Sequence, residues 1–209
     1  MIPKKIHYCW FGRNPKSNLF YRCFRSWKKY CPDYEIVEWN EDNYILNNSP
    51  VYVQQAYNEK MWAFVSDYVR LDVVANYGGV YFDTDVELVC GIDDLLGYES
   101  FFCTERTDGK EINTGLGFGA VKGNEYVLLM RNDYNGVSFY LDNSGELDLT
   151  SCPQRNTKAL KAIIGEINIG KDPVNINGNL FLPREYFCPL TFSTMLPIYQ
   201  TENTRGIHW

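Results

Sequence analysis

An α/β fold, a mixed but mostly parallel sheet flanked by helices, is predicted for this chain from three features. Short β-branched and aromatic runs alternate with longer segments whose apolar residues recur at three- and four-residue spacing. The longest helical segment halts at Gly78-Gly79 and passes at once into the apolar run Val80-Tyr81-Phe82. That run ends in two carboxylates, Asp83 and Asp85, at the end of a strand where sheets of this class gather ligands.

The elements follow in order. Ile6 to Phe11 reads as a first strand, and Asn14-Pro15-Lys16-Ser17 as a turn and helix start. Leu19, Phe20, Cys23, Phe24 and Trp27 mark a helix over residues 17–31, broken by Pro32-Asp33, and Tyr34 to Trp39 is a second strand. Residues 51–77 carry one long helical pattern, and a compact helical subdomain within 13–60 is a further expectation. Ser100 to Thr104 and Leu116 to Val121 read as strands, Glu125 to Asn132 and residues 156–165 as helices, and Val174 to Leu182 as a strand or hairpin. The last twenty residues show no strong period.

With 209 residues the expectation is one domain, and the hydrophobic fraction of 45% is ordinary for a globular chain. The net charge of −6 excludes a general nucleic-acid binder, which needs a basic face. Lys4-Lys5 with Arg13 and Lys16 form only a small basic cluster. Seven scattered cysteines without a Cys-x-x-Cys pair argue against a zinc knuckle or a disulfide framework, and fit buried hydrophobes in a reducing cytoplasm. No run of about 20 apolar residues spans a bilayer. The expected location is cytoplasmic, with at most peripheral contact at the inner membrane face.

Strand alternation points Asp83 and Asp85 the same way, and paired carboxylates suit a hard cation such as Mg²⁺ or Mn²⁺. Such a cation stabilises the charge on a departing nucleoside diphosphate. Asp67 and Arg70 share a helix face; in isolation they would be a surface ion pair worth under about 1 kcal/mol. Here the Gly78-Gly79 turn folds their helix back toward the two aspartates. His7, inside a strand, reads as a structural histidine. Asn113-Thr114-Gly115 and Cys152-Pro153-Gln154 read as acceptor-side loops or ordinary turns, and Glu105-Arg106-Thr107-Asp108 as a solvated loop.

The string Ser66-Asp67-x-x-Arg70, then Gly78-Gly79-x-Tyr81-x-Asp83-x-Asp85, resembles glycosyltransferase family 32, the sugar-binding region containing a DXD motif. That family includes yeast initiating mannosyltransferases and bacterial capsule and lipopolysaccharide enzymes, and the clostridial glucosylating toxins carry a similar string. Ile2 to Gly12, with its tryptophan, is similar to the family's first strand. The resemblance implies a GT-A fold and a retaining, metal-dependent hexosyl transfer. The donor would be a nucleotide sugar, UDP-hexose foremost. The acceptor would be a saccharide or lipid-linked oligosaccharide in surface polysaccharide synthesis, in a bacterial setting. By the same resemblance Asp83, Asp85 and His208 would ligate Mn²⁺ or Mg²⁺, His208 alternatively contacting phosphate. Asp67, Arg70 and Asp83 would be catalytic and hold the sugar, with Tyr81 beside the donor. Trp10 would stack on the base, with the main chain near Cys9 bonding it, and Ser66 would lie near the ribose. Trp209 would cover the donor. Family members close the site with a late histidine and a nearby Ser-Trp; this sequence stops at His208-Trp209, so the expectation is one domain over residues 1–209 that lacks a few C-terminal residues. A frayed terminus is the competing reading of His208-Trp209.

Two rivals stand beside this reading. A Mg²⁺-dependent phosphohydrolase also uses Asp-x-Asp after a strand, but with Thr or Val where this chain has Glu87. A nucleotide-sugar or carbohydrate-binding module without turnover would keep the same charged set.

Overall fold

Side chains alternate across each strand, so the core divides into two halves on the two faces of one sheet. The computed structural model describes residues 1–106, 108–141, 145–190 and 200–209. Its strands are β1 (Lys5–Cys9), β2 (Glu35–Trp39), β3 (Gly79–Tyr81), β4 (Val86–Leu88), β5 (Ser100–Cys103), β6 (Phe118–Ala120), β7 (Tyr140–Leu141), β8 (Glu146–Leu147), β9 (Val174–Ile176), β10 (Asn179–Leu182) and β11 (Gly206–His208). Its helices are α1 (Asn18–Tyr30), α2 (Val51–Asn58), α3 (Trp62–Tyr77), α4 (Glu125–Asn132) and α5 (Cys152–Ile164). Seven strands form the main sheet in the order β2-β1-β3-β6-β5-β10-β9. The pairs β2-β1, β1-β3 and β5-β10 are parallel, whereas β6 and β9 run antiparallel to their neighbours. This is the predicted mixed, mostly parallel sheet.

Tyr81, Phe102, Phe118 and Phe181 face one side, where they pack with Val65, Val69, Tyr126, Met130 and Leu160 of α3, α4 and α5. Val80, Phe82, Phe101 and Leu182 face the other, with Phe20, Cys23 and Trp27 of α1. Because α1 and α2 lie on opposite faces, residues 13–60 do not form the expected helical subdomain. The buried aromatics meet edge to face or stacked, and this packing accounts for most of the high aromatic content.

Three elements differ from expectation. The pattern over 51–77 is two helices, because Lys60 takes a positive φ of 57° and turns the chain between α2 and α3. Neither glycine nor proline marks that break. Helix α5 starts four residues early: Ser151 caps it, Pro153 sits in its first turn, and Gln154 Oε1 accepts from the Ser151 N–H at 3.4 Å. The C-terminus is not frayed, since β11 pairs antiparallel with β4. Residues 191–199 of the aperiodic tail, and Thr107 of the solvated loop, lie outside the described residues.

Gly78 and Gly79 make the turn from α3 into β3 at φ 66° and 113°. A Cβ would stand 2.9 Å from the Lys122 amide nitrogen at Gly78, and 2.7 Å from the Lys5 carbonyl oxygen at Gly79. Only glycine meets both demands. Among the described residues no helix is long and apolar enough to cross a membrane. All seven cysteines are unpaired.

Candidate functional site

The carboxylates converge through a turn. Strand β3 ends at Tyr81, and Asp83 to Asp85 form the tight connection into β4, closed by the Val86 N–H donating to the Asp83 carbonyl at 3.1 Å. Two clamps hold that turn. Asp83 N–H donates to the Gly115 carbonyl at 3.3 Å. On the other face Trp27 Nε1 donates to the Val86 carbonyl at 2.8 Å, and the Leu88 N–H donates to Ser26 Oγ at 2.8 Å.

Arg70 is the hub. It is 4% exposed and lies 3.0 Å from both Asp67 Oδ1 and Asp83 Oδ1. Its guanidinium sits 5.0 Å from the Tyr81 ring centroid, and it donates to the Ser66 carbonyl at 3.2 Å and toward Cys152 Sγ at 3.6 Å. The pair is therefore buried, unlike a solvated ion pair at that spacing. Tyr81 donates its hydroxyl to Asp83 Oδ1 at 2.9 Å, so Asp83 Oδ1 is occupied and its second oxygen faces Gly115. A Cβ at Gly115 would come within 2.5 Å of that oxygen and 3.1 Å of Arg70. Burial raises the Asp67 carboxyl to about 6, against the pull of Arg70 and with the help of Asp83. Burial also lifts the Tyr81 phenol well above its usual range, aided by Asp83, so it stays a neutral donor.

Asp85 stands apart from this network. Its Oδ1 is buried and has no hydrogen-bond partner among the described residues, and His208 Nε2 is 3.5 Å away. Burial raises the Asp85 carboxyl despite the attraction of His208. Burial by itself would depress His208; the contact with Cys188 and the charges of Asp85, Asp83 and Glu105 outweigh it and lift the imidazole to about 9. The turn draws positive charge toward itself. An unsatisfied carboxylate oxygen costs about 1–3 kcal/mol or more when buried, and a hard cation would relieve that. The donor set, two carboxylates and an imidazole, fits Mn²⁺ or Mg²⁺, although among the described residues no three such groups close into a ready cage.

The turn opens onto a cleft of about 350 Å³ lined by Cys9, Trp10, Phe11, Trp62, Ser66, Arg70, Asp83, Thr84 and Asp85. Larger clefts lie elsewhere, one of about 680 Å³ over residues 41–58 and one of about 500 Å³ beside α5, but neither is lined by the motif residues. The Trp10 ring lies tilted on Phe20, their centroids 5.6 Å apart, and its Nε1 donates to the Asn14 carbonyl at 2.8 Å. The Ser66 hydroxyl lines the cleft and donates to the Trp62 carbonyl at 2.9 Å. Trp209 is joined to the turn by its N–H, which donates to the Asp85 carbonyl at 3.1 Å, but its ring lies over Arg22 and donates to Glu87 at 3.0 Å. It does not line the cleft formed by Trp10 and Trp62.

His7 is structural. Trp39 Nε1 donates to His7 Nδ1 at 3.0 Å, so His7 Nε2 carries the proton and donates to the Gly78 carbonyl at 2.8 Å. Sequence reasoning missed Trp62 as a cleft wall, because its place follows from the Lys60 turn. It left Thr114 and Cys152 undecided. They lie behind Arg70, with Thr114 Oγ1 3.1 Å from Cys152 Sγ and Asn156 Nδ2 donating to Thr114 at 2.9 Å.

Residues 17–102 match the family described as the glycosyltransferase sugar-binding region containing DXD motif. Two relatives from the fission yeast Schizosaccharomyces pombe align with the chain. Inositol phosphoceramide mannosyltransferase 3 is 30% identical over 139 residues, 63% of this chain and 37% of that protein. Inositol phosphoceramide mannosyltransferase 2 is 27% identical over 150 residues, 68% of this chain and 41% of that protein. The chain thus spans less than half the length of the curated relatives it matches. Among solved structures, PaToxG Glycosyltransferase superposes with a TM-score of 0.58 at 22% identity, covering 78% of this chain and 69% of the other. The fold is the GT-A arrangement expected from the motif.

Proposed function

We propose that this chain binds a nucleoside-diphosphate hexose and transfers the hexose, with retention and with Mn²⁺ or Mg²⁺ bound, to a saccharide acceptor. The observation that carries this reading is the buried Asp85 Oδ1 on the wall of the Arg70–Asp83 cleft, which has no hydrogen bond among the described residues and faces His208 at 3.5 Å. Asp83, Asp85 and His208 would hold the cation. When bound it supplies charge neutralisation for the leaving diphosphate.

The chain's own groups do the rest. Trp10 and the main chain at Cys9 bind the base, and Ser66 accepts from a ribose hydroxyl. Arg70, immobilised between Asp67 and Asp83, presents fixed positive charge to the sugar and the departing oxygen without reorganising. Asp67 accepts a sugar hydroxyl and orients the ring. Tyr81 locks one oxygen of Asp83 and leaves the other free. With front-face attack the acceptor's proton passes to the departing phosphate oxygen, and no protein base is needed.

UDP-hexoses remain the first donors to try, and the mannosyl names of the two yeast relatives add GDP-mannose. A surface polysaccharide or a glycolipid headgroup is the acceptor class. The test is nucleotide release from a panel of UDP- and GDP-sugars, with Mn²⁺ and with EDTA, in wild type and Asp85→Ala. Metal-dependent release from one donor, lost in a folded Asp85→Ala, is the expected outcome. Release that survives both EDTA and the substitution would sink the proposal.

A further inference from the structure

We infer that the cleft between α5 and the loop residues 106 and 108–111 binds a phosphate group carried by the acceptor; the acceptor role rests on the transferase reading, while the phosphate site does not. The cleft, of about 500 Å³, is lined by Arg106, Asp108, Lys110, Glu111, Gln154, Thr157, Lys158 and Lys161. Four cations face two carboxylates, on a chain whose net charge is −6. The clefts over the motif, beside Trp10, over residues 41–58 and beside Trp39 each carry more carboxylates than cations. Of these clefts this one alone carries an excess of positive charge, and its concave wall focuses that field on an anion.

The cations are unequally committed. Arg106 pairs with Asp108 at 3.1 Å, and Lys161 with Glu166 at 2.9 Å. Among the described residues Lys110 and Lys158 make no ion pair within 4 Å, and both are exposed. Gln154, Thr157, Lys158 and Lys161 fall three and four apart, so they share one face of α5. The facing loop is pinned. Ile112 N–H donates to Thr157 Oγ1 at 2.8 Å, and Ile169 N–H donates to the Gly109 carbonyl at 3.0 Å. The lysines therefore stand on two braced walls. Lysine ammoniums are point charges suited to phosphate.

The same two walls reach the sugar site. Helix α5 begins at Cys152, against Arg70, and Lys158 lies about 9 Å further along its axis. The loop continues from Lys110 through Asn113 and Thr114 to Gly115, against Asp83. A phosphate in the cleft would therefore sit roughly one or two sugar lengths from Arg70.

Titration of the ¹⁵N-labelled chain with mannose 6-phosphate and with mannose tests the site, with cosedimentation on phosphatidylinositol-containing or pure phosphatidylcholine vesicles as a second arm. Lys110→Gln/Lys158→Gln removes both free cations at exposed positions and should fold as the wild type. Mannose 6-phosphate is expected to shift the amides of 108–111 and 154–161 at least tenfold more tightly than mannose, or phosphatidylinositol vesicles to capture the chain, with the double variant losing the preference. The first result assigns a soluble sugar phosphate and the second a lipid headgroup. If neither probe discriminates, or if the double variant keeps the preference, the inference is overturned. Nucleotide release should be unchanged in the double variant; its absence in wild type would refute the transferase reading alone, since probe binding is read separately.

Discussion

Arg70 shows what one buried guanidinium can organise. It holds Asp67 and Asp83 at 3.0 Å each, and Gly115 presses on the far side of Asp83 with no room for a methyl group. Gly115→Ala should therefore displace the Asp83 carboxylate and lower turnover by on the order of a hundredfold, with little change in far-UV circular dichroism; unchanged turnover would show the clash to be absorbed elsewhere. His7 makes a prediction about pH. Burial lowers it from about 6.5 to about 4, against the Gly78 bond that raises it. Between those values the unfolded chain binds a proton that the folded chain refuses. Stability from His7 is thus full above about pH 7 and lost as pH falls toward 4, by up to about 3 kcal/mol. Asp67, raised to about 6, has the opposite slope over part of that range, so the difference between wild type and His7→Gln isolates the histidine. On going from pH 7 to pH 5, urea unfolding should show wild type losing stability relative to His7→Gln; an equal change in the two proteins would remove His7 as the cause.

The turn from β3 into β4 depends on an element across the sheet. Helix α1 reaches it through Trp27 and Ser26, whose side chains bond the Val86 carbonyl and the Leu88 amide. Trp27→Phe keeps the ring and removes the donor, leaving a buried carbonyl unmet. The expected loss is about 1–3 kcal/mol in denaturant unfolding, accompanied by weaker Mn²⁺-dependent nucleotide binding because Asp85 precedes Val86. Stability loss without any change in binding would uncouple α1 from the site. The helix α1 itself was plain from Phe20, Cys23 and Trp27 at helical spacing. The division of 51–77 was invisible, because a lysine in a left-handed conformation carries no residue-type signature.

At the scale of the molecule, β11 returns the C-terminus to β4 and delivers His208 to Asp85 from 123 positions downstream of it. Both ends of the described chain thus reach the motif turn: Cys9 to Phe11 line the cleft, and His208 meets Asp85. A ligand that bridges them should stabilise the whole fold. A nucleoside diphosphate with Mn²⁺ at about a hundred times its Kd should raise Tm by roughly 5–10 °C, with EDTA or Asp85→Ala abolishing the shift. A shift that persists in EDTA would place the nucleotide without the cation.

The alternation of strands and helices, the Gly78-Gly79 stop and the carboxylates after a buried run were all determined by the sequence alone, since periodicity and backbone freedom are local properties. So was the convergence of Asp67, Arg70, Asp83 and Asp85 at one place, which a helix, a tight turn and a strand in succession enforce. The manner of convergence was decided only by the tertiary structure. The two aspartates meet through a turn rather than through the pleat, because the chain leaves the sheet at Tyr81 to form β4. The burial of Arg70, the orphaned oxygen of Asp85, the placing of Trp62 opposite Trp10, and the turning of the Trp209 ring toward Arg22 are likewise tertiary. Each depends on residues tens of positions apart, and desolvation and long-range pairing leave no periodic trace in a single chain.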